Sequence, residues 1–394
     1  MELTKCKLGE LITQRREKND GSNLPICGVS KDGLIPPKQI DADTSIYNVF
    51  YRDDFIFNPA RMELNSIAIN DRYDRAICSS LYEVFFVHRT DLLLPHYLKL
   101  IVKQPWFTRY CEFLGQGSAR EYCRFNNISE IEIEFPSIEE QQKVIDYYAS
   151  VQKRIEIKRQ INDNLEATVQ NAFNAEFIAF DGNNSSLVDT ELGQMPENLS
   201  VKLVSEIEPR IESGKRPSGG AASSGYPSLG ADCAKGLGCY DRSKAKYVPF
   251  DFAQKMTKGI VKGYELLAYK DGGKPSEFIP EFSIYGEGYP FDEFAINEHV
   301  FIIDFGCPEA NWFAYFLFKS KYVYNLLASV GGKSAIPGIN QQDIGNLYVI
   351  DPTSEEALEF GTKYLPFLKA ILINCKELLK LEELKDSVLT TLSR

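Results

Sequence analysis

The sequence predicts an α+β protein in which two similar domains of mixed α/β structure are separated by two long helices. Three observations predict this fold class: a long helical stretch mid-chain, a second at the C-terminal end, and the same order of short motifs before each. We expect the helices to pair as an antiparallel coiled coil with pseudo-two-fold symmetry, because neither could bury its apolar stripe alone. The predicted divisions are a first domain at residues 1–135, a central helix at 136–180, a second domain at 185–352 and a C-terminal helix at 353–394.

The first domain alternates short apolar runs with turn residues, as strands and their connections do. A longer stretch at residues 95–113 predicts a helix, and a polar loop that carries glycine follows at residues 115–120. Ile131, Ile133 and Phe135 alternate as in a strand that closes the domain. The other predicted strands lie at residues 24–30, 32–35, 55–57, 66–69 and 81–87.

The central helix is predicted by a start signal and by its apolar spacing. Ser137 can cap the first turn, and Glu139 and Glu140 suit the positive end of the helix dipole. No glycine or proline interrupts residues 137–177, and at about 1.5 Å per residue the helix is about 57 Å long. The predicted apolar stripe consists of Val144, Tyr148, Val151, Ile155, Ile157, Ile161, Leu165, Val169, Phe173 and Phe177.

The second domain repeats the first after a polar linker at residues 181–186. Residues 226–230 match residues 24–28, and residues 263–267 fall where residues 53–57 fell. Because the shared markers occur in the same order, we interpret the chain as a tandem duplication. Further matches pair residues 297–301 with 81–85, residues 311–313 with 96–98, and residues 331–337 with the loop around Gly117.

The C-terminal helix aligns with the central helix at a constant offset. Pro352 lies 216 residues after Pro136 (352 − 136 = 216), and the same offset relates Ile371 to Ile155. Pro366 has no counterpart in the central helix and predicts a kink or a restart of the second helix at this point. The predicted apolar positions are Leu365, Leu368, Ile371, Ile373, Leu378, Leu381, Leu384, Val388 and Leu389.

Composition narrows the class of protein. Apolar residues make up 44% and charged residues 25% of the 394, which is ordinary for a soluble protein. No apolar run is long enough to span a membrane, and the N-terminal residues lack the features of a signal peptide. Nine cysteines without paired spacing indicate reduced thiols, so we expect a cytoplasmic protein.

The predicted architecture suggests a reader of DNA. Two divergent domains on a rigid spacer could each contact one short sequence, since B-DNA presents the same face about every 34 Å. Each added helical turn of about 5.4 Å would then lengthen the gap between the two sequences by one or two base pairs. The net charge of −11 argues against binding to nucleic acid. We expect acidic residues to lie away from DNA and the isolated chain to bind weakly, with steep salt dependence.

Several motifs are typical of one known family. They are residues 136–142 (PSIEEQQ), the helix at 155–173, and residues 213–220 (SGKRPSGG), 262–267 (KGYELL), 297–301 (NEHVF) and 332–337 (GKSAIP). With them the chain resembles, over nearly its whole length, the specificity (S) subunits of type I restriction–modification systems. It departs from the pattern at Tyr264, where Asp is usual, and at Ala357 and Leu358, which replace the paired glutamines of the helix start.

The resemblance implies two target-recognition domains, each reading half of a bipartite site in double-stranded DNA. It implies that the helices set the gap and dock two methyltransferase (M) subunits, which restriction (R) subunits join. It also implies a subunit without catalysis of its own, so that S-adenosylmethionine, ATP and Mg bind only to the partner subunits. The alternative from another class is a coiled-coil adaptor that does not bind DNA, and a weaker one is a methyltransferase in its own right.

Candidate DNA-binding residues are polar or cationic side chains on loops, which can reach base edges or phosphates. Neighbouring glycines would let backbone amides approach phosphate closely. In the first domain the candidates are Lys31, Arg61, Arg120, Tyr122, Arg124 and Asn126. In the second domain they are Lys215, Arg216, Lys235, Lys270, Lys274, Lys333 and Ser334.

Signals for an enzyme are weak. Residues 58–61 (NPAR) lack the second proline and the aromatic residue of an amino-methyltransferase motif, and we interpret them as a strand end and a turn. Cys233 and Cys239 have no histidine at ligand spacing, so they are predicted to be structural thiols rather than zinc ligands. His299 is predicted to be a packed strand residue. The sequence therefore predicts no metal site and no catalytic residue.

Overall fold

A computed structural model describes residues 3–37, 39–40, 43–115, 122–272, 274, 276–333 and 337–391. The chain forms two compact units, of which the first comprises residues 1–155 and 381–394 and the second residues 156–380. The division between the units falls within two long helices, so each unit is described by itself. In the part of the chain that the structure describes, no helix is long and apolar enough to cross a membrane.

The first unit is built from short strands and three short helices, with a 3-10 helix at Pro59–Leu64. Its strands are β1 (Thr4–Lys7), β2 (Ile12–Arg15), β3 (Ile26–Ser30), β4 (Gly33–Ile35), β5 (Asn48–Tyr51), β6 (Phe55–Phe57), β7 (Ile67–Ile69), β8 (Arg75–Cys78), β9 (Glu83–Val87) and β10 (Glu132–Phe135). Its short helices are α1 (Pro95–Val102), α2 (Pro105–Gly115) and α3 (Phe125–Ser129). The long helix α4 (Ile138–Phe177) then crosses into the second unit.

The described residues of the first unit form three sheets. One has the antiparallel order β2-β9-β6-β7, the second has the order β4-β3-β8-β5, and β1 pairs with β10. In the second sheet β3 and β8 are parallel, whereas their other neighbours are antiparallel. Phe55 lies opposite Phe85 in the first sheet, and their rings stack with centroids 5.0 Å apart in a core that excludes water.

The second unit contains the remaining strands and helices. Its strands are β11 (Leu187–Thr190), β12 (Gly193–Pro196), β13 (Val201–Leu203), β14 (Arg210–Ser213), β15 (Tyr226–Leu229), β16 (Tyr247–Val248), β17 (Ile260–Val261), β18 (Leu266–Tyr269), β19 (Phe282–Ile284), β20 (Phe294–Ile296), β21 (Val300–Asp304) and β22 (Tyr348–Ile350). Its helices are α5 (Val204–Ile207), α6 (Phe250–Ala253), α7 (Pro308–Lys319), α8 (Lys321–Gly331) and α9 (Gln341–Gly345), followed by the long α10 (Glu355–Thr391).

Three sheets formed by described residues of the second unit repeat those of the first, whereas the hairpin of β11 and β12 has no counterpart there. The order β14-β21-β18-β19 corresponds to β2-β9-β6-β7, and β16-β15-β20-β17 corresponds to β4-β3-β8-β5, again with one parallel pair, β15 and β20. The pair β13-β22 corresponds to β1-β10. The same strand order in all three sheets confirms the predicted duplication and the α+β fold class.

The two long helices run antiparallel where they meet in the second unit. Lys158 Nζ donates to Asn374 Oδ1 at 3.0 Å, and further along α4 Phe177 packs against Phe360 with ring centroids 5.4 Å apart. Rising residue numbers on α4 therefore meet falling numbers on α10, as predicted. Lys158 and Asn374 are themselves 216 residues apart, so equivalent positions of the two repeats contact each other.

Polar side chains occupy the seam between the helices at this point. Asn374 Nδ2 donates to Asn162 Oδ1 at 2.8 Å, and Lys158 forms an ion pair with Glu377. Polar residues in a helical seam lower its stability but disfavour shifted registers. In the first unit the seam continues as Tyr148 faces Asp386: burial and this carboxylate raise the pKa of the phenol.

The predicted apolar stripes are wrong at four positions. The Ile157 and Ile161 side chains of α4 are exposed, as are Ile373 and Leu384 of α10. The predicted Val151, Ile155, Val169, Phe173 and Phe177 of α4 are buried, and the polar Lys158 and Asn162 lie between them on the pairing surface. Sequence spacing misplaced the stripe because the pairing surface includes polar residues.

The predicted restart at Pro366 is wrong, since α10 continues through it from Glu355 to Thr391. Phe360 and Leu368, on either side of the proline, are both buried. The indole Nε1 of Trp312 donates to the carbonyl of Tyr364 at 3.1 Å. Burial on both sides outweighs the cost of about 3 kcal/mol that a proline imposes inside a helix.

Two further predictions need correction in the first unit. The predicted helix at 95–113 is two helices, because Pro105 begins a new one. The closing strand begins at Glu132, so Ile131 lies just before it.

The start of α4 is anchored by a buried glutamine. Gln141 Oε1 accepts the backbone N–H of Leu94 at 2.9 Å, and its Nε2 donates to the carbonyls of Leu92 and Pro136 at 2.8 and 2.9 Å. The equivalent residue of α10 is Ala357, which is fully buried. The first helix start is therefore attached to its domain by hydrogen bonds, which an alanine side chain cannot make.

Replacement of Gln141 by alanine is expected to lower the free energy of unfolding of the first unit by about 2–3 kcal/mol, because buried partners are left unpaired. Denaturant unfolding would measure this change, and faster hydrogen exchange of the Leu94 amide would locate it. The control is Gln142→Ala, since Gln142 is exposed and bonds Asp146 on its own helix. Equal losses in the two variants would contradict the anchoring role.

Candidate nucleic-acid interface

In the first unit, several predicted residues collect at one end of the β2-β9-β6-β7 sheet. There β6 ends at Phe57 and β9 begins opposite it at Glu83. The 3-10 helix at Pro59–Leu64 follows β6 and carries Arg61, while the turn between β3 and β4 carries Lys31. We call the surface formed by Lys31, Asn58, Arg61, Leu81 and Tyr82 the first loop surface.

The first loop surface is concave. Its residues line a cavity of about 900 Å³ together with the β3–β4 hairpin. Lys31 and Arg61 are both exposed, and no ion-pair partner for either is found among the described residues. Asp32 and Glu63 line the same cavity, so the surface is not cationic overall, but two exposed cations without a described ion-pair partner can contact phosphate oxygens.

The backbone of this surface is held by local hydrogen bonds. Asn58 Oδ1 accepts the N–H of Ala60 at 3.1 Å and caps the 3-10 helix. The carbonyl of Arg61 accepts the N–H of Ser66 at 3.2 Å, and that of Pro59 accepts the N–H of Cys123 at 3.0 Å. The NPAR sequence therefore follows the end of β6 and begins the 3-10 helix, where the sequence was interpreted as a strand end and a turn.

The Cys123 contact brings the segment before α3 to the same end of the sheet. Arg124 pairs with Glu83 at 3.2 Å and lies over the ring of Tyr122, 5.4 Å from its centroid. Asn126 is exposed on α3, and no described hydrogen bond ties its side chain to the sheet end. Arg120 lies outside the described residues.

In the second unit, predicted residues collect at the equivalent end of the β14-β21-β18-β19 sheet. There β14 ends at Ser213 and β18 at Tyr269, while β21 begins at Val300. Lys215 and Arg216 follow β14, and Lys270 follows β18. We call the surface formed by Arg216, Lys235, Lys270, Glu298 and His299 the second loop surface.

Cations of the second loop surface are held by carboxylates and rings. Arg216 pairs with Glu298 at 3.2 Å. Lys270 Nζ lies 5.2 Å from the ring centroid of Phe301, and Lys235 Nζ lies 5.9 Å from that of Tyr269. Phosphate could replace a carboxylate partner without moving the loop, because both are anionic oxygen acceptors.

The loop that follows α8 meets the same surface through its backbone. The N–H of Ile339 donates to the carbonyl of Lys270 at 2.8 Å, and that of Gly272 to the carbonyl of Pro337 at 2.9 Å. Lys333 precedes these contacts in its loop and Lys274 follows them in the other loop, and both side chains are exposed. Ser334 lies outside the described residues.

Sequence reasoning missed two residues of this surface, Glu298 and His299. His299 was predicted to be a packed strand residue, but it precedes β21 and its side chain is 40% exposed. Its Nδ1 contacts Asp271, and its Nε2 lies 3.4 Å from Glu298. A usable signal was present, since residues just before β21 must share a sheet end with residues just after β18.

The first glycine of the SGKRPSGG motif, Gly214, packs closely against neighbouring backbone. A Cβ on Gly214 would lie 1.6 Å from the carbonyl oxygen of Ile296, and one on Gly259 would lie 2.7 Å from Gly214 itself. Gly214 is therefore required for close packing of backbone on backbone. It sets where Lys215 and Arg216 leave the sheet.

A buried carboxylate supports the turn before the central strand in both units. Asp54 Oδ2 accepts the N–H of Tyr51 at 2.8 Å and pairs with Arg15. Glu265 Oε2 accepts the N–H of Gly263 at 2.7 Å and its Oε1 pairs with Arg210. Burial raises the pKa of Asp54, although the guanidinium opposes that rise. In both units, the buried carboxylate and its arginine partner therefore hold in place a strand that leads to a loop surface.

A concave region of the second unit is lined by none of the residues predicted to bind DNA. Its volume is about 630 Å³, and its lining includes Arg210, Glu212, Phe250, Lys258 and Glu293. Within the described ranges, no three His, Cys, Asp or Glu side chains converge as a metal site requires. The loop surfaces are therefore the strongest candidates for function.

The type I restriction modification DNA specificity domain matches residues 40–167 of this chain. The chain is similar to the specificity subunits of type I restriction–modification systems. It is 25% identical over 322 residues to the type I restriction enzyme MjaIX specificity subunit of Methanocaldococcus jannaschii, which covers 77% of this chain and 69% of that protein. It is 24% identical over 291 residues to the type I restriction enzyme HindI specificity subunit of Haemophilus influenzae, which covers 68% of this chain and 60% of that protein.

A solved specificity subunit shares the fold. The crystal structure of the type I restriction–modification system S subunit from M. genitalium aligns with 99% of this chain and 96% of its own, at 14% identity and a TM-score of 0.58. The predicted resemblance to specificity subunits is confirmed, and the adaptor alternative is not favoured.

Proposed function

We propose that this specificity subunit recognises DNA sequence for a type I restriction–modification complex, with each domain reading one half of a bipartite site through its loop surface. One observation carries the proposal: cationic loops recur at the equivalent sheet end of two domains with the same strand order. Phosphate contacts from such loops would orient each domain, and neighbouring polar side chains would reach base edges.

The loop surfaces differ chemically, as two readers of different sequences should. The first offers Lys31 and Arg61 without described carboxylate partners, whereas the second offers Arg216 held by Glu298 and a histidine between two carboxylates. Carboxylates can accept hydrogen bonds from the amino group of cytosine, and arginine can donate to guanine. The same scaffold would therefore read different bases.

The proposal extends to partner subunits through the long helices. Ile157 of α4 and Ile373 of α10 occupy equivalent positions of the repeats (373 − 157 = 216) and are 44% and 60% exposed. Their neighbours Ile155 and Ile371 are both buried. Two equivalent exposed isoleucines suit two copies of one partner, so we propose that they help to dock two methyltransferase subunits, which restriction subunits then join.

In this proposal the chain has no catalysis of its own. Methylation with S-adenosylmethionine, and cleavage with ATP and Mg, would belong to the partner subunits. The nine cysteines are free thiols, which supports action in the reducing cytoplasm.

Exchange of residues 185–350 for those of a related specificity subunit should change one half of the methylated sequence and leave the other half unchanged. Each half would depend on one loop surface, and methylome sequencing of cells that carry the exchanged subunit with its methyltransferase would measure the outcome. The matched exchange of residues 1–135 should change the opposite half. A change of both halves by either exchange would refute the two-reader proposal.

A further inference from the structure

A lysine that does not reach the first loop surface bonds to the backbone beneath it. Lys103, at the end of α1, donates from its Nζ to the carbonyl of Lys31, to Asn65 Oδ1 at 3.2 Å and to the carbonyl of Ile67 at 3.2 Å. An ammonium has three donors, and here each has an oxygen acceptor in the protein.

Asn65 connects this ammonium to the second cation of the surface. It ends the 3-10 helix that carries Arg61, in a left-handed conformation with φ of 52°. Its Nδ2 donates to the carbonyl of Val102 at 2.7 Å and to Thr108 Oγ1 at 2.8 Å, so its amide oxygen is turned towards Lys103. One ammonium thus joins the turn that presents Lys31 to the helix that presents Arg61.

We propose that Lys103 is a positioning residue for DNA recognition by the first domain, holding Lys31 and Arg61 in register without contacting DNA. The proposal rests on the function proposed above and names a residue that the sequence analysis did not select. The three acceptors of the Lys103 ammonium belong to separate segments: the β3–β4 turn, the end of the 3-10 helix and β7. Loss of the ammonium would let these segments shift independently.

The site also makes the positioning sensitive to pH. Burial lowers the pKa of Lys103 to about 8. Asp32, Asp71, Arg72 and Lys99 line the small cavity beside it and balance in charge. Bound phosphates would raise the pKa of Lys103. The affinity for DNA should therefore be highest below about pH 8, and it should fall as the pH rises through the pKa that Lys103 has in the DNA complex.

The test measures binding of the specificity subunit, in complex with its methyltransferase, to a duplex that contains the methylated target. Between neutral pH and about pH 9.5, wild-type affinity should fall roughly fivefold or more. The reason is that Lys103 loses its ammonium, and the neutral amine that remains cannot make the same charged hydrogen bonds. Lys103→Met should bind at least roughly fivefold more weakly at neutral pH and show a flatter pH profile. Wild-type affinity for K103M, or an unchanged pH profile, would overturn the proposal.

A second variant keeps the test decisive if K103M folds poorly. Lys31→Ala with Arg61→Ala removes exposed side chains only, and it too should flatten the pH profile, because Lys103 acts through these residues. A K31A/R61A complex that binds as wild type would refute the function proposed for the first loop surface. A K31A/R61A complex that binds weakly but keeps the full pH dependence would refute only the positioning role.

Discussion

Replacement of Gly214 by alanine is expected to destabilise the second unit by about 4 kcal/mol and to abolish ordered packing of the motif that follows β14. The added Cβ would lie 1.6 Å from the carbonyl oxygen of Ile296, which is far inside van der Waals contact. The obstacle is backbone, so no side chain can turn aside. Either β14 or β20 must move, and both belong to sheets of the core.

Tryptophan fluorescence can measure this loss. The chain has two tryptophans, of which Trp312 is fully buried in the second unit. In a Trp106→Phe background, denaturant unfolding followed by fluorescence reports on Trp312 alone. The matched control is Gly219→Ala in the same motif, because a Cβ there meets no atom within 4 Å. It should change stability by less than about 0.5 kcal/mol, and a similarly small change in G214A would contradict the packing argument.

Removal of Lys31 and Arg61 together is expected to weaken DNA binding by the assembled complex roughly tenfold to a hundredfold. Both side chains are exposed on the first loop surface, so the loss should appear in binding rather than in stability. If both contact phosphates, the slope of log affinity against log salt should become shallower by roughly 1.8. Binding measured over a series of salt concentrations tests both quantities.

The control for this variant removes the same charge elsewhere in the first unit. Lys5 and Lys7 lie in β1 and pair with Glu132 and Glu130, respectively. Lys5→Ala with Lys7→Ala should leave the salt slope nearly unchanged. Equal losses of affinity in the two double variants would mean that general charge, rather than the first loop surface, binds DNA.

Much of the fold was predictable because it depends on local pattern. The helix start at Ser137, the strand alternation and the repeated motifs are properties of short segments, and the structure shows the corresponding elements. The offset of 216 residues predicted the duplication, and the contact of Lys158 with Asn374 shows this offset in space. The burial of individual helix positions was less predictable, because Ile157 and Ile373 are apolar yet exposed.

The residue types of the candidate site were predictable from sequence, but the residues that each of them contacts were not. Cations next to glycines could be selected from sequence, yet the pairing of Arg216 with Glu298 joins residues more than eighty positions apart. His299 was assigned to a strand because the apolar run after it gave no sign of where the strand begins. Lys103 gave no signal at all, since its acceptors are mostly backbone carbonyls.

By itself, the sequence determined the two repeats, the long helices and the polar loops between strands, since periodicity and turn chemistry act over a few residues. Only the tertiary structure decided which loops share a sheet end, why Gly214 must be glycine and which lysine is buried beneath the first loop surface. These features depend on contacts between distant segments, and such contacts exist only after the sheets have formed and excluded water.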